Sequence, residues 1–342
     1  MKTISYNLAL AFLLISFCAC KHEKPVQDQD PLPSWNETPI KKSIIEYMNK
    51  AVAQIPVEDR IAVFDMDGTL ACETPLWFEM YAAVNGLNQQ SKADPKLLKY
   101  PEYQYALKLA KNSNDTSVLN HWTNFTTKPY YNYIDSMVWK AYKGVDNEAY
   151  IDSANRYLFK TKDQRFNITL AYMFYEPMLE LLKYLKENQF NIYVVSGSVR
   201  GVIWSVCPQI IGFNRDHLIG TNQILSPKYF PIEKRTQFII AKGIFPPKDD
   251  KDGKSLNIYS QIGKVPVFAF GNTTGDFGMF RLASTSKYPN AAYLLNHNDS
   301  IREYAYPPYH GPTDTTWQRT MRLNGWKRVD MAQEFKTVWM TK

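Results

Sequence analysis

Three short apolar runs, far apart in the chain, each end in small or acidic residues. Residues 61–64 (Ile-Ala-Val-Phe) lead into Asp65-Met66-Asp67-Gly68-Thr69-Leu70, residues 190–195 into Ser196-Gly197-Ser198, and residues 265–270 into Gly271-Asn272. A weaker run covers residues 291–295. Runs of this length, rich in β-branched and aromatic residues, read as buried strands. Between them the apolar spacing turns helical, first at Ile44, Ile45, Met48 and Val52, then over residues 177–185. Strands alternating with helices predict an α/β fold whose mostly parallel sheet is covered on both faces. In such a sheet the carboxyl ends of the strands form the ligand crevice. Asp65, Asp67, Ser196 and Asn272 should therefore meet in one place.

Thr69 and Ser196 stand 127 positions apart, whereas a simple βαβ crossover needs only about thirty residues. The surplus predicts an inserted, mainly helical cap over residues 80–175, with the core domain formed by residues 41–79 and 176–342. The insertion is rich in Tyr and Trp, among them Tyr100, Tyr103, Trp122, Tyr130, Trp139 and Tyr142. Two readings of these aromatics stand side by side. They form the core of the cap, or some line the cleft and hold an organic cation such as choline by cation–π attraction.

The first 20 residues read as an export signal. A basic start (Met1-Lys2-Thr3) precedes an apolar stretch from Leu8 to Phe17 that is too short to span a bilayer. It closes with Ser16-Phe17-Cys18-Ala19-Cys20 before a polar run. This resembles a lipoprotein processing site, with Cys20 as the lipidated residue, and predicts a periplasmic or cell-envelope lipoprotein of a bacterium; plain signal cleavage is the alternative. Residues 21–40, polar and rich in proline, read as the tether. Cys72 and Cys207, the remaining thiols, are expected unbridged, and no Cys/His cluster has the spacing of a zinc site. The formal net charge of +7 suits an anionic substrate. Because the basic residues are scattered, no nucleic-acid partner is expected.

Asp65 and Asp67, two residues apart at a strand end, can face one cavity as the chain turns at Gly68. One ionised carboxylate can attack phosphorus while the other, protonated, releases an alcohol. Asp65-Met-Asp67-Gly-Thr69-Leu after an apolar strand resembles the first motif of the haloacid dehalogenase superfamily. Val194-Val195-Ser196-Gly197-Ser198, Asp249-Asp250-Lys251-Asp252-Gly253-Lys254 and Gly271-Asn272-Thr273-Thr274-Gly275-Asp276 are similar to its other three, in order. Further likeness at Cys72-Glu73-x-Pro75, residues 296–306 and residues 324–331 points to a bacterial phosphoserine phosphatase-like branch.

The resemblance implies a Rossmann-like core and a Mg2+-dependent phosphatase that forms an aspartyl phosphate on Asp65, with Asp67 as general acid and base. It also implies that Ser196, Gly197 and Thr69 meet the phosphoryl group, and that a motif III lysine (Lys254, with Lys234 and Lys251 as competitors) bridges it to the nucleophile. Asp65, Asp67, Asn272 and Asp276 are the expected metal ligands, and Asn272 departs from the commoner Asp. Glu73 is placed to meet a substrate ammonium or to cap a helix. Transport ATPases of this superfamily carry Thr at position 67, and dehalogenases lack the second Asp, so hydrolysis of a small phosphorylated metabolite such as phosphoserine is expected. The alternatives are a phosphocholine-type phosphatase, a phosphotransferase, and a ligand-binding lipoprotein that has lost catalysis.

Overall fold

In the computed structural model, residues 30–113, 136–309 and 313–341 are described. The signal segment, residues 21–29 of the expected tether and five of the cap aromatics (Trp122, Phe125, Tyr130, Tyr131 and Tyr133) lie outside them, while Leu32 and Trp35 of that tether are buried in the core. Helix α1 (Pro39–Gln54) opens where the Thr38 hydroxyl accepts from the Lys41 amide and Pro39 supplies a preset φ. Its buried stripe of Ile44, Met48 and Ala51 packs on the sheet core. Strand β1 (Ile61–Phe64) follows, buried at every position.

Then come α2 (Phe78–Ala93), α3 (Pro101–Lys111), a helical stretch over residues 136–142, α4 (Asn147–Leu158) and α5 (Glu176–Glu187). The chain continues through β2 (Asn191–Val199), α6 (Arg200–Ile210), β3 (Leu218–Thr221), β4 (Gln223–Phe230), β5 (Arg235–Ile244) and α7 (Asp252–Ile262). It closes with β6 (Phe268–Gly271), α8 (Phe277–Ser284), β7 (Ala291–Asn296), α9 (Trp317–Asn324), β8 (Lys327–Asp330) and α10 (Met331–Glu334).

Six strands form one parallel sheet in the order β3-β2-β1-β6-β7-β8. The expected α/β fold with a parallel core sheet is therefore what the chain adopts. β1 lies between β2 and β6, with Phe64 level with Val194 on one side and Phe270 on the other. That register brings Asp65, Ser196 and Asn272 to one edge of the sheet. Along β1, Ala62 and Phe64 enter one buried cluster and Val63 the other, as a two-residue repeat requires. Phe64, Phe268, Phe270 and Tyr293 stack across the first face at centroid distances of 5.5–6.0 Å.

Some elements differ from the sequence expectation. β2 runs on through Ser196 to Val199, with a register shift against β3 at that point. β6 starts at Phe268 rather than residue 265, after Pro266, which has no amide to give. β3, β8 and the hairpin β4–β5 were not anticipated: β3 and β8 are four residues each, and the hairpin is mostly exposed and carries Pro227. The hairpin joins the segment after residues 136–142 through Gly144 N–H to Ile240 O (2.8 Å) and Ile240 N–H to Val145 O (2.9 Å). Among the described insertion aromatics, Tyr103 and Tyr142 are buried, their hydroxyls donating to Gln90 and to the Ala82 carbonyl.

Candidate active site

β1 ends in a turn that places its two carboxylates differently. Gly68 takes φ +75°, and a Cβ there would come within 1.8 Å of Asn272 Nδ2, so only glycine fits. Asp65, 6% exposed, is held on both oxygens: Lys254 Nζ reaches Oδ1 at 2.5 Å and the Thr69 hydroxyl donates to Oδ2 at 3.1 Å. Lys254 is itself buried on α7 and also meets Asp276 Oδ1 and the Val195 carbonyl, each at 2.7 Å. Burial alone would lower the lysine's pKa. Asp276 and Asp65 outweigh that and raise it, so the ammonium stays charged.

Lys234 is elsewhere, exposed in the turn of the β4–β5 hairpin. Lys251 precedes α7 at φ +55°, its amide donating to the Gly275 carbonyl at 2.9 Å and so tying the loop before α7 to the loop after β6. Of the three lysines considered for the third motif, Lys254 is the one placed on Asp65.

Asp67 faces β2. Ser198 Oγ donates to its Oδ2 at 2.6 Å, the Ser196 hydroxyl stands at 3.4 Å from the same oxygen, and Ser196 Oγ accepts the Ser198 amide at 3.1 Å. Asp67 Oδ1 is buried with no protein partner. Burial pushes the Asp67 carboxyl up to about 7, with Ser198 partly opposing and Glu73 and Glu79 adding to the rise. A group poised there can give or take a proton near neutrality. Gly197 follows Ser196 on β2 with its carbonyl held by the Thr221 hydroxyl at 2.7 Å.

Asp276 turns toward its own loop. One oxygen takes Lys254, and the other accepts the amides of Asn272 (2.9 Å) and Thr273 (3.0 Å). It is the one carboxylate that the fourth motif is expected to give to a metal, and both of its oxygens meet donors of the chain. Asn272, 1% exposed, gives Nδ2 to Glu73 Oε1 at 2.8 Å and leaves Oδ1 on the Thr69 side at 3.5 Å. Glu73 is thus engaged with Asn272, not with a helix N-terminus.

Behind Gly68 lies a buried network to which the sequence assigned no role. His297 Nε2 meets the Gly68 carbonyl at 2.7 Å, and its Nδ1 meets Glu303 Oε2 at 3.1 Å. The other oxygen of Glu303 accepts from the Tyr175 hydroxyl and the Cys72 thiol. Burial disfavours a charged His297 ring, but Glu303 outweighs it and its pKa is raised. Ser198 was likewise missed; it lies two positions after Ser196 on one strand, the spacing that puts both on one face. Cys72 and Cys207 are both free and buried.

A family model described as haloacid dehalogenase-like hydrolase matches residues 60–231. No curated protein matches the chain. Among solved structures, a conserved protein of unknown function from Anaerococcus prevotii is 14% identical. It superposes with a TM-score of 0.50 over 80% of this chain and 89% of its own, which shows the shared fold alone. A phosphoserine phosphohydrolase-like protein from Francisella tularensis (11% identical, 80% and 97% covered) has a TM-score of 0.42. For cytosolic 5'-nucleotidase IIIB bound to cytidine (12% identical, 83% and 89% covered) the score is 0.41.

Proposed function

Because the chain belongs to the haloacid dehalogenase-like hydrolases, we propose that it hydrolyses a small phosphomonoester, of the phosphoserine kind, with Asp65 as nucleophile and Asp67 as general acid and base. The observation that carries this reading is the unequal environment of the two carboxylates. Burial raises the pKa of both; Asp65 is held at 2.5 Å by a charged lysine that opposes the rise, and Asp67 is held by the neutral Ser198 hydroxyl with its pKa at about 7. An Asp65 oxygen forms a bond to phosphorus as the ester P–O bond breaks, and the departing alkoxide takes the Asp67 proton. Water then attacks the phosphorus of the aspartyl phosphate and gives its proton to Asp67, releasing inorganic phosphate and restoring Asp65. Lys254 and the β2 end at Ser196 and Gly197 would spread the charge of the phosphoryl group.

The donor set suits a hard cation. Asp65 and Asp276 share Lys254, Glu73 is bonded to the adjacent Asn272, and Asp67 Oδ1 is buried and unpartnered. Among the described residues no three His, Cys, Asp or Glu side chains converge as a ready metal site. Mg2+ would therefore be held by the Asp65 carboxylate together with neutral oxygens, the Asp67 carbonyl and the Asn272 amide. When bound, it would neutralise the phosphate and ease the repulsion between that phosphate and the carboxylates. As part of the same proposal the protein acts outside the cytoplasm, anchored through Cys20.

A phosphate-release assay on phosphoserine, phosphocholine, nucleotides and sugar phosphates, with and without Mg2+, tests the activity. Asp65→Asn should lower turnover by roughly four orders of magnitude or more. A wild-type protein that releases no phosphate from any ester would sink the reading.

A further inference from the structure

Position 272 carries an amide where the motif it resembles most often carries a carboxylate, so the loop after β6 brings one negative charge fewer to the cation side of the site. A carboxylate lies next to it: Glu73 Oε1 is 2.8 Å from Asn272 Nδ2. Because a carboxylate only accepts, that contact fixes which end of the amide faces which way. The nitrogen must point to Glu73, and the oxygen must point to Thr69 Oγ1 (3.5 Å), whose hydroxyl also bonds Asp65.

The arrangement is braced on several sides. The Tyr306 hydroxyl stands 3.4 Å from Asn272 Nδ2, and the Tyr306 ring stacks on His297 at 4.2 Å. Gly68 lies under both partners, since a Cβ there would meet Asn272 Nδ2 at 1.8 Å and Glu73 Oε1 at 2.6 Å. The backbone amide of Asn272 is tied to Asp276.

We propose that Glu73 is a positioning residue for the divalent cation, holding the Asn272 amide with its oxygen toward Asp65 and supplying from one residue further out the negative charge that Asn272 lacks. This role rests on the metal-dependent reading above and differs from contact with a substrate ammonium. Residues that hold a metal ligand in place are commonly worth tenfold or more in metal affinity.

The test is calorimetric titration of the metal-free full chain with MgCl2, with thermal unfolding in EDTA as the check on folding. Glu73→Ala should raise the Mg2+ Kd by about tenfold or more, and its lost turnover should return as Mg2+ is raised. Glu73→Gln, which keeps an acceptor and drops the charge, should fall between it and wild type. The double change Asn272→Asp with Glu73→Gln exchanges acid and amide, and should bind Mg2+ at least as tightly as wild type. If Glu73→Ala fails to fold, the double variant, which keeps the contact, decides.

Unchanged Mg2+ binding in Glu73→Ala, with KM for phosphoserine alone rising, would assign Glu73 to the substrate and overturn the proposal. A double variant that binds no better than Glu73→Gln would also overturn it. A wild-type chain that binds no Mg2+ would remove the metal-dependent reading itself, a different outcome from failure of the Glu73 role.

Discussion

The two flanks of the turn at residues 65–68 are built on opposite electrostatic plans. On one, Asp65 and Asp276 share a buried ammonium, Lys254, so the chain supplies its own positive charge. On the other, Asp67 is held by the Ser198 hydroxyl and Glu73 by the Asn272 amide, and one Asp67 oxygen is buried without a partner. The first flank carries its own counter-charge, one ammonium between two carboxylates. On the second, burial raises the Asp67 pKa to about 7, with Glu73 adding to the rise. On the proposed mechanism, this contrast lets a nucleophile held by a cation and a proton-exchanging acid stand two residues apart.

The largest effect is expected from removing the shared ammonium. Lys254→Met keeps most of the volume but leaves two buried carboxylates unpaired, and should lower stability by about 3–5 kcal/mol in denaturant unfolding. Little change would mean that the ammonium is not what holds the pair.

Asp67 sharpens the other side. Its folded-state pKa of about 7 lies above the unfolded value of 3.8. Below pH 3.8 both states hold the proton and the group has no effect on stability. As pH rises toward 7 the unfolded chain releases its proton first, and above about 7 the cost of the buried charge is fully present. In metal-free protein, Asp67→Asn should therefore stabilise at pH 8 by at most about 4 kcal/mol. The gain should shrink to nothing as pH falls toward 4, as read by Tm against pH. A gain independent of pH would show that the charge is not its source.

The smallest of the three effects belongs to the network behind the turn. His297→Gln removes the ring that links Glu303 to the Gly68 carbonyl, and should cost about 1–3 kcal/mol in urea unfolding. A larger loss in turnover than in stability would mean that the Gly68 carbonyl also sets the Asp67 geometry.

Much of the fold was legible in the chain, because strand periodicity and apolar runs are local properties. β1 and β7 appear where residues 61–64 and 291–295 placed them, and α5 grew from the pattern at residues 177–185. The edge strand β8 was hidden because Lys327-Arg328-Val329-Asp330 has one buried side and few apolar residues to signal it. The hairpin β4–β5 was hidden because much of it faces solvent.

The chemistry-bearing residue types, and their place at the ends of parallel strands, are readable along the chain. Asp65, Asp67, Ser196 and Asn272 follow their runs directly, and the rules of a parallel sheet collect them at one edge. Only the tertiary structure decided who partners whom. Lys254 reaches Asp65 across 189 positions, Asn272 reaches Glu73 across 199, and His297 reaches Gly68 across 229. Those pairings depend on how helices and loops pack over the sheet, and no local pattern encodes a contact of that separation. That is why Lys234 stays a competitor of Lys254 in the sequence, and why the partner of Glu73 is visible only with the loop after β6 folded against Gly68.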